Sequence, residues 1–119
     1  MKEIILSTLY LVTLYCLNYF VFDPTYLYYE IWWLDIPMHI LGGAGVASLA
    51  IALINFKNKK VTFWKIFVAV LVVALAWEIY EYICDLTNLG YWNGNWIDTV
   101  ADLLNGLIGG IISYLIYKK

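Results

Sequence analysis

Apolar and polar positions along this chain fall into long blocks, not into strand-like alternation. Four apolar runs stand out: Ile4–Phe22, Ile36–Phe56, Thr62–Ile83 and Ile97–Tyr117. Each is long enough to cross a hydrocarbon core of ~30 Å as a helix. Backbone groups in lipid must find hydrogen-bond partners within their own segment, so a helix is the state such runs require. The pattern predicts an all-α fold: one membrane domain over residues 1–119, a four-transmembrane-helix bundle. A β-barrel would show shorter, alternating segments.

The connections carry their own signals. Asp23-Pro24 reads as a helix start, with Asp as N-cap and Pro at the first helical position. Tyr26, Tyr28, Tyr29, Trp32 and Trp33 then suit a short interfacial helix over 24–33. Trp92 and Trp96 extend the same aromatic belt, and Phe63 and Trp64 belong to the opposite one. Asn93-Gly94 marks a turn. Gly43-x-x-x-Ala47 and Gly106-x-x-x-Gly110 are small-xxx-small patterns. Packing within the bundle is the simpler role for them. The same faces would also serve an oligomer.

Composition agrees with the pattern. The chain is 64% hydrophobic, 18% aromatic and 13% charged. Soluble domains carry about 25% charged residues, and a small soluble fold could not bury so much apolar surface. A soluble enzyme, a disordered tail and a basic nucleic-acid module are all disfavoured, and no nucleic-acid partner is expected. Membrane lipid is the expected partner.

Charge sets the topology. All basic charge comes from seven lysines: Lys2, Lys57, Lys59, Lys60, Lys65, Lys118 and Lys119. With four spans they fall on one side, which the positive-inside rule makes cytoplasmic. Both termini are expected inside, in the cell (inner) membrane. The first run follows only Lys2 but lacks an A-x-A-like cleavage pattern, so it reads as an anchor, not a signal peptide. Cys16 and Cys84 lie in or beside apolar stretches and read as small buried hydrophobes.

The ionisable residues within the runs are not scattered. Asp35 and His39 open the second run, Glu78, Glu81 and Asp85 close the third, and Asp98, Asp102 and Asn105 open the fourth. At 1.5 Å per residue, His39, Glu78 and Asn105 lie roughly 6–11 Å below their helix ends. At about 100° per residue, Asp35, His39, Gly42 and Val46 share a stripe. Asp98, Asp102, Asn105 and Gly109 repeat those offsets, which hints at a duplicated helix pair, although the loops show no matching repeat. Glu78, Glu81 and Asp85 form a third stripe. Three polar stripes therefore converge at the lysine-free mouth of the bundle.

Five carboxylates there (Asp35, Glu78, Glu81, Asp98, Asp102) cannot all stay ionised unaided. Either several are protonated or a cation sits among them. Asp35, His39, Glu78, Glu81, Asp98, Asp102 and Asn105 are the candidate metal ligands. Oxygen-rich ligands with one imidazole suit Mg²⁺, Mn²⁺, Ca²⁺, Fe²⁺ or Zn²⁺. His39 and Glu81 are the candidate catalytic residues, as general base. Blander roles stand beside these. Asp35 and Asp98 could simply cap their helices. His39 could be a core histidine bonded to one carboxylate. Asp85 and Glu30 read as solvated loop acids.

The segments "DIPMHILGGAGVA", "AWEIYEYICDL" and "GYWNGNWIDTVADLLNGLIGG" resemble, in order, the motifs of the YjdF-like family of bacterial inner-membrane proteins. The resemblance runs from Asp35 to about Gly110 and touches Asp35, His39, Glu78, Glu81, Asp98, Thr99 and Asp102. More loosely, the chain is similar to the VanZ-like family linked to glycopeptide resistance. The resemblance implies a small polytopic membrane protein and supports the clustered residues as a site. It implies no reaction.

Three functions follow as expectations. The first is a metal-dependent enzyme acting on a lipid or lipid-linked headgroup. The second is a structural or accessory protein whose polar cluster rigidifies the bundle. The third is an ion- or proton-translocating oligomer, disfavoured because the inner halves of the runs, such as Leu49–Ile54 and Val68–Val73, hold no ionisable residue. A Ser–His–Asp nucleophile is disfavoured too, because Ser7, Ser48 and Ser113 lie far from His39.

Overall fold

The computed structural model describes residues 1–86 and 96–119, with Asp85 and Leu86 placed as helical backbone only. The expected turn at Asn93-Gly94, the belt residue Trp92 and the side chain of Asp85 lie outside the described residues. Helix α1 spans Lys2–Leu17 and continues as one π-helical turn, Asn18–Phe22. The short α2 spans Leu27–Glu30, α3 Asp35–Phe56, α4 Phe63–Leu86 and α5 Trp96–Lys118. No strand occurs among the described residues. Four of these helical segments are long and apolar enough to cross a membrane. Each expected span matches one of them to within three residues at either end.

The first connection departs from expectation. A helix starting at Pro24 is not formed. Asp23 still belongs to the end of α1, its N–H donating to the Asn18 carbonyl at 3.0 Å. A residue bonded back into the preceding helix cannot open the next one. The backbone turns only at Tyr26, in the left-handed region at φ 55°. The interfacial helix shrinks to four residues, and Trp32 and Trp33 stand exposed after it. At the opposite end, Asn58 takes the left-handed conformation (φ 50°). Lys59 N–H returns to the Ile54 carbonyl at 3.0 Å, a hydrogen-bonded stop for α3.

Helices α3 and α5 run parallel, in register and in close contact. His39 faces Asp102, the Ser48 and Ser113 hydroxyls are 2.9 Å apart, and Tyr117 donates to Asn55 Oδ1 at 3.2 Å. Glycines make this approach possible. A Cβ on Gly43 would overlap the carbonyl oxygen of Gly106, and one on Gly109 would overlap the carbonyl oxygen of Ile40. The repeated offsets read on these two helices thus put matching residues at matching depth. Helix α4 packs antiparallel against both, with Val70 filling the space beside Gly110.

Gly43, Ala47, Gly106 and Gly110 are all buried within the chain. The small-residue faces are engaged within the bundle itself. Below the polar layer, Ala47, Ile51, Ile66 and Val70 form the apolar core. Helix α1 buries no residue fully. It leans on α3 where Gly45 admits the Tyr10 ring and the Tyr10 hydroxyl donates to the Leu41 carbonyl at 3.0 Å. Apolar side chains cover the outside, including Leu9, Val72, Ile79, Ile97 and Ile116, each more than half exposed. That surface fits contact with lipid tails. Cys16 is half-buried and Cys84 buried, with no disulfide between them.

Candidate functional site

At the lysine-free end a cleft of about 910 Å³ opens between α1 and α4, floored by α3. Its lower walls are apolar: Leu11 and Leu14 from α1, Val46 from α3, Val70 and Val73 from α4. Its upper walls carry Asp35, His39, Glu78, Glu81, Asp98 and Asp102. Tyr26, Tyr29 and Trp32 line the rim. Near the top, Tyr15 and Trp77 meet edge to face across the gap, ring centroids 6.3 Å apart. Among the described residues, no lysine or arginine lines the cleft.

Three of the expected ligands come together tightly. Asp35, His39 and Asp102 place one donor atom each within 4.8 Å of one another. His39 Nε2 lies 3.3 Å from Asp35 Oδ1 and 3.6 Å from Asp102 Oδ2. Local structure explains this. Asp35 and His39 are one helical turn apart on α3 and so share a face. Asp102 is brought in by the register of α5. The capping role weighed for Asp35 is not what its side chain does: α3 follows Leu34 with no side-chain cap. Asp102 is only 5% exposed.

The spacing has a chemical meaning. Donors 3.3 and 3.6 Å apart match two ligands that each sit about 2.0–2.2 Å from one ion. They are long for hydrogen bonds, which run from about 2.7 to 3.2 Å. Two ionised carboxylates within 4.8 Å of one another would repel by at least about 3 kcal/mol at an effective dielectric of about 20. A positive charge between them, imidazolium or metal ion, removes that cost.

The other expected ligands are near but not in this group. Glu78 and Glu81 line the α4 wall, and Asp98 lies in the first turn of α5. Asn105, half-buried, is not among the residues lining the cleft. Glu81 Oε1 accepts a hydrogen bond from Trp77 Nε1 at 2.9 Å, which fixes its carboxylate. Glu78 is 7% exposed. Its carboxylate is within hydrogen-bonding reach of Thr99 on α5, yet Oε2 has no hydrogen-bond partner among the described residues.

Some participants were not legible beforehand. Trp77 could have been read from its i,i+4 spacing to Glu81. Tyr15 and Asn18 carry no such signal, because nothing in the sequence says that α1 faces α4. Tyr28, expected only as a belt residue, donates a hydrogen bond to Asn18 Oδ1. Burial, with Asp35, Asp23 and Glu81 nearby, pushes its phenol above the usual tyrosine range.

The model of one family, described as "Predicted membrane protein (DUF2238)", matches residues 4–119. The chain belongs to that family. No curated protein and no solved structure matches it. The broader part of the expected resemblance, a membrane-protein family of unknown function, therefore holds.

Proposed function

We propose that this member of the DUF2238 family binds a divalent metal ion at Asp35, His39 and Asp102 and acts on the headgroup of a lipid or lipid-linked substrate. One observation carries the reading: the cleft is amphipathic along its length. Its polar end holds the Asp–His–Asp group, and its other end is lined by Leu11, Leu14, Val46, Val70 and Val73. Its size falls within the ~300–1,000 Å³ of small-molecule sites. Three protein ligands with an open position are the arrangement of catalytic metal sites.

The ion would polarise a phosphoryl or glycosyl oxygen of the headgroup. With His39 Nε2 committed to the group, the base role falls to Glu81, which the Trp77 N–H orients. The YjdF-like resemblance sits comfortably with this reading, and the lysine distribution supports both termini on the cytoplasmic side. The cleft then opens on the outer side of the inner membrane.

A second reading has its own observation. The His39–Asp102, Ser48–Ser113 and Asn55–Tyr117 pairs form a polar ladder along α3 and α5. In that reading the cluster only stiffens the bundle. Ion translocation through a single chain finds little support, because the cluster of Ala47, Ile51, Ile66 and Val70 lies below the cleft.

Elemental analysis of detergent-purified protein, with His39→Ala beside it, decides between the two main readings. One bound divalent ion per chain, lost in His39→Ala, supports the enzyme. A metal-free wild type whose His39→Ala variant is merely less stable supports the ladder.

A further inference from the structure

Asn18 of α1 lines the cleft but belongs neither to the metal group nor to the acidic wall. We infer that its amide N–H donates to a phosphate oxygen of the headgroup, so that Asn18 selects a phosphate-bearing ligand over one with an uncharged sugar or glycerol end. This rests on the lipid-headgroup reading above and chooses within it.

Position comes first. Leu11, Leu14, Tyr15 and Asn18 line the cleft from α1, and their spacing is that of one helix face. Asn18 ends that face with an amide. Thr13, another polar residue of α1, turns back on its own helix and donates to the Leu9 carbonyl at 2.8 Å. The backbone also changes at Asn18. Its carbonyl accepts from the Asp23 N–H five residues on, at 3.0 Å, so the helix passes here into π register. Single π turns of this kind are frequent at functional sites.

The amide is half engaged. Its Oδ1 accepts from the Tyr28 hydroxyl, which fixes the side chain and leaves Nδ2 as the free end. Nδ2 has no acceptor among the described residues, and it is not sealed from solvent. Other donors within the rim have partners. The Trp77 N–H goes to Glu81 and the Tyr28 hydroxyl to Asn18, while His39 Nε2 lies between Asp35 and Asp102.

The lining then narrows the ligand. It is rich in carboxylate acceptors. A sugar or glycerol hydroxyl carries its own hydrogen and can donate to any of them. An ionised phosphate oxygen can only accept, so it needs a cation or an N–H. The cleft offers the metal group on α3 and α5, and the Asn18 amide on α1. Tyr28, bonded to Asn18, also lies near Asp35, so donor and metal group share one end of the cleft. A neutral amide serves an anion there without competing with the metal ion for the carboxylates.

The test uses the full chain in detergent with Mn²⁺ and two lipids of one acyl chain, lysophosphatidic acid and monoacylglycerol, which differ by the phosphate alone. Calorimetry reads each lipid, inorganic phosphate, and Mn²⁺ by itself. The wild type is expected to bind the phosphate lipid at least about thirtyfold tighter. Asn18→Asp keeps an acceptor for Tyr28 but has no amide donor, and Asn18→Leu removes the donor without adding charge. In both, that preference should fall by at least about tenfold, the usual worth of a hydrogen bond to a charged group, while monoacylglycerol binding stays within about threefold. Equal binding of the two lipids by the wild type overturns the inference, and needs no variant to fold. So does an unchanged preference in Asn18→Leu, or in Asn18→Asp, where a residue that merely ties α1 to Tyr28 would leave binding intact. Inorganic phosphate binding within about threefold of the phosphate lipid overturns the lipid source. A wild type that binds no Mn²⁺, yet shows the preference and loses it in both variants, overturns the metal reading and supports the Asn18 donor.

Discussion

Gly43 on α3 and Gly106 on α5 meet backbone to backbone: a Cβ on the first would fall on the carbonyl oxygen of the second. The neighbouring Gly42 has nothing within 4 Å of its Cβ position and looks into the cleft. Two adjacent glycines therefore do different work. One permits the helix contact that brings Asp102 to His39, and the other keeps the cleft open beside α3.

Gly43→Ala is expected to destabilise the bundle by about 1–3 kcal/mol, the usual cost of overpacking. Gly42→Ala is expected to be neutral, or to stabilise by up to about 1 kcal/mol through better helix propensity. Denaturant unfolding of both variants in detergent checks the pair. Equal destabilisation would mean that α3 and α5 are not packed as described.

Asp102→Asn is expected to weaken divalent-ion binding by at least about tenfold, since even outer-shell partners of a metal are worth that much. Ser113→Ala removes a rung of the same α3–α5 ladder, 2.9 Å from Ser48, and is expected to cost about 1 kcal/mol while sparing the ion. Calorimetry with Mn²⁺ and unfolding of each variant separate the two effects. A ladder without a metal site predicts that both variants change stability alone.

Tyr28 gives the pH prediction. Its phenol is held above the ordinary value of about 10 by burial, then by Asp35, Asp23 and Glu81. The folded state thus keeps this proton at pH values where the unfolded chain has lost it. The stability it contributes is complete below about pH 10 and is lost as pH rises through the folded value. Absorbance titration at the phenolate band should show one fewer late-titrating tyrosine in Tyr28→Phe than in the wild type.

All seven lysines fall at one end of the bundle, so both termini should report the same compartment. A fluorescent-protein fusion to Lys119 should fluoresce, and an alkaline phosphatase fusion at the same position should be inactive. A fusion within 24–33 should behave in the opposite way. The reversed pattern would put the cleft on the cytoplasmic side and remove the outer-headgroup setting of the proposed substrate.

The spans were legible because a run of some twenty apolar residues leaves the backbone no state but helix. The Asp35–His39 pair was legible too, since one helical turn fixes it. The partner from α5 was half-legible: the offsets of Asp98, Asp102 and Asn105 gave the face, but not that α5 lies in register beside α3. Glycine spacing announces close approach and does not name the partner. The cleft could not be read at all, because it depends on α1 leaning on α3 and leaving α4 uncovered. Asp23-Pro24 misled, because a cap signal says nothing about a preceding helix that runs on through it.

Helix α1 buries no residue fully, yet it supplies one whole wall of the cleft. The burden of folding rests on α3, α4 and α5, and the Asp35–His39–Asp102 trio belongs to α3 and α5. Sequence drift in the first helix can reshape what the cleft admits at little cost to the core or the trio. Among relatives, selection for new substrates should leave its mark on Leu11, Leu14, Tyr15 and Asn18 before it touches Asp35, His39 or Asp102.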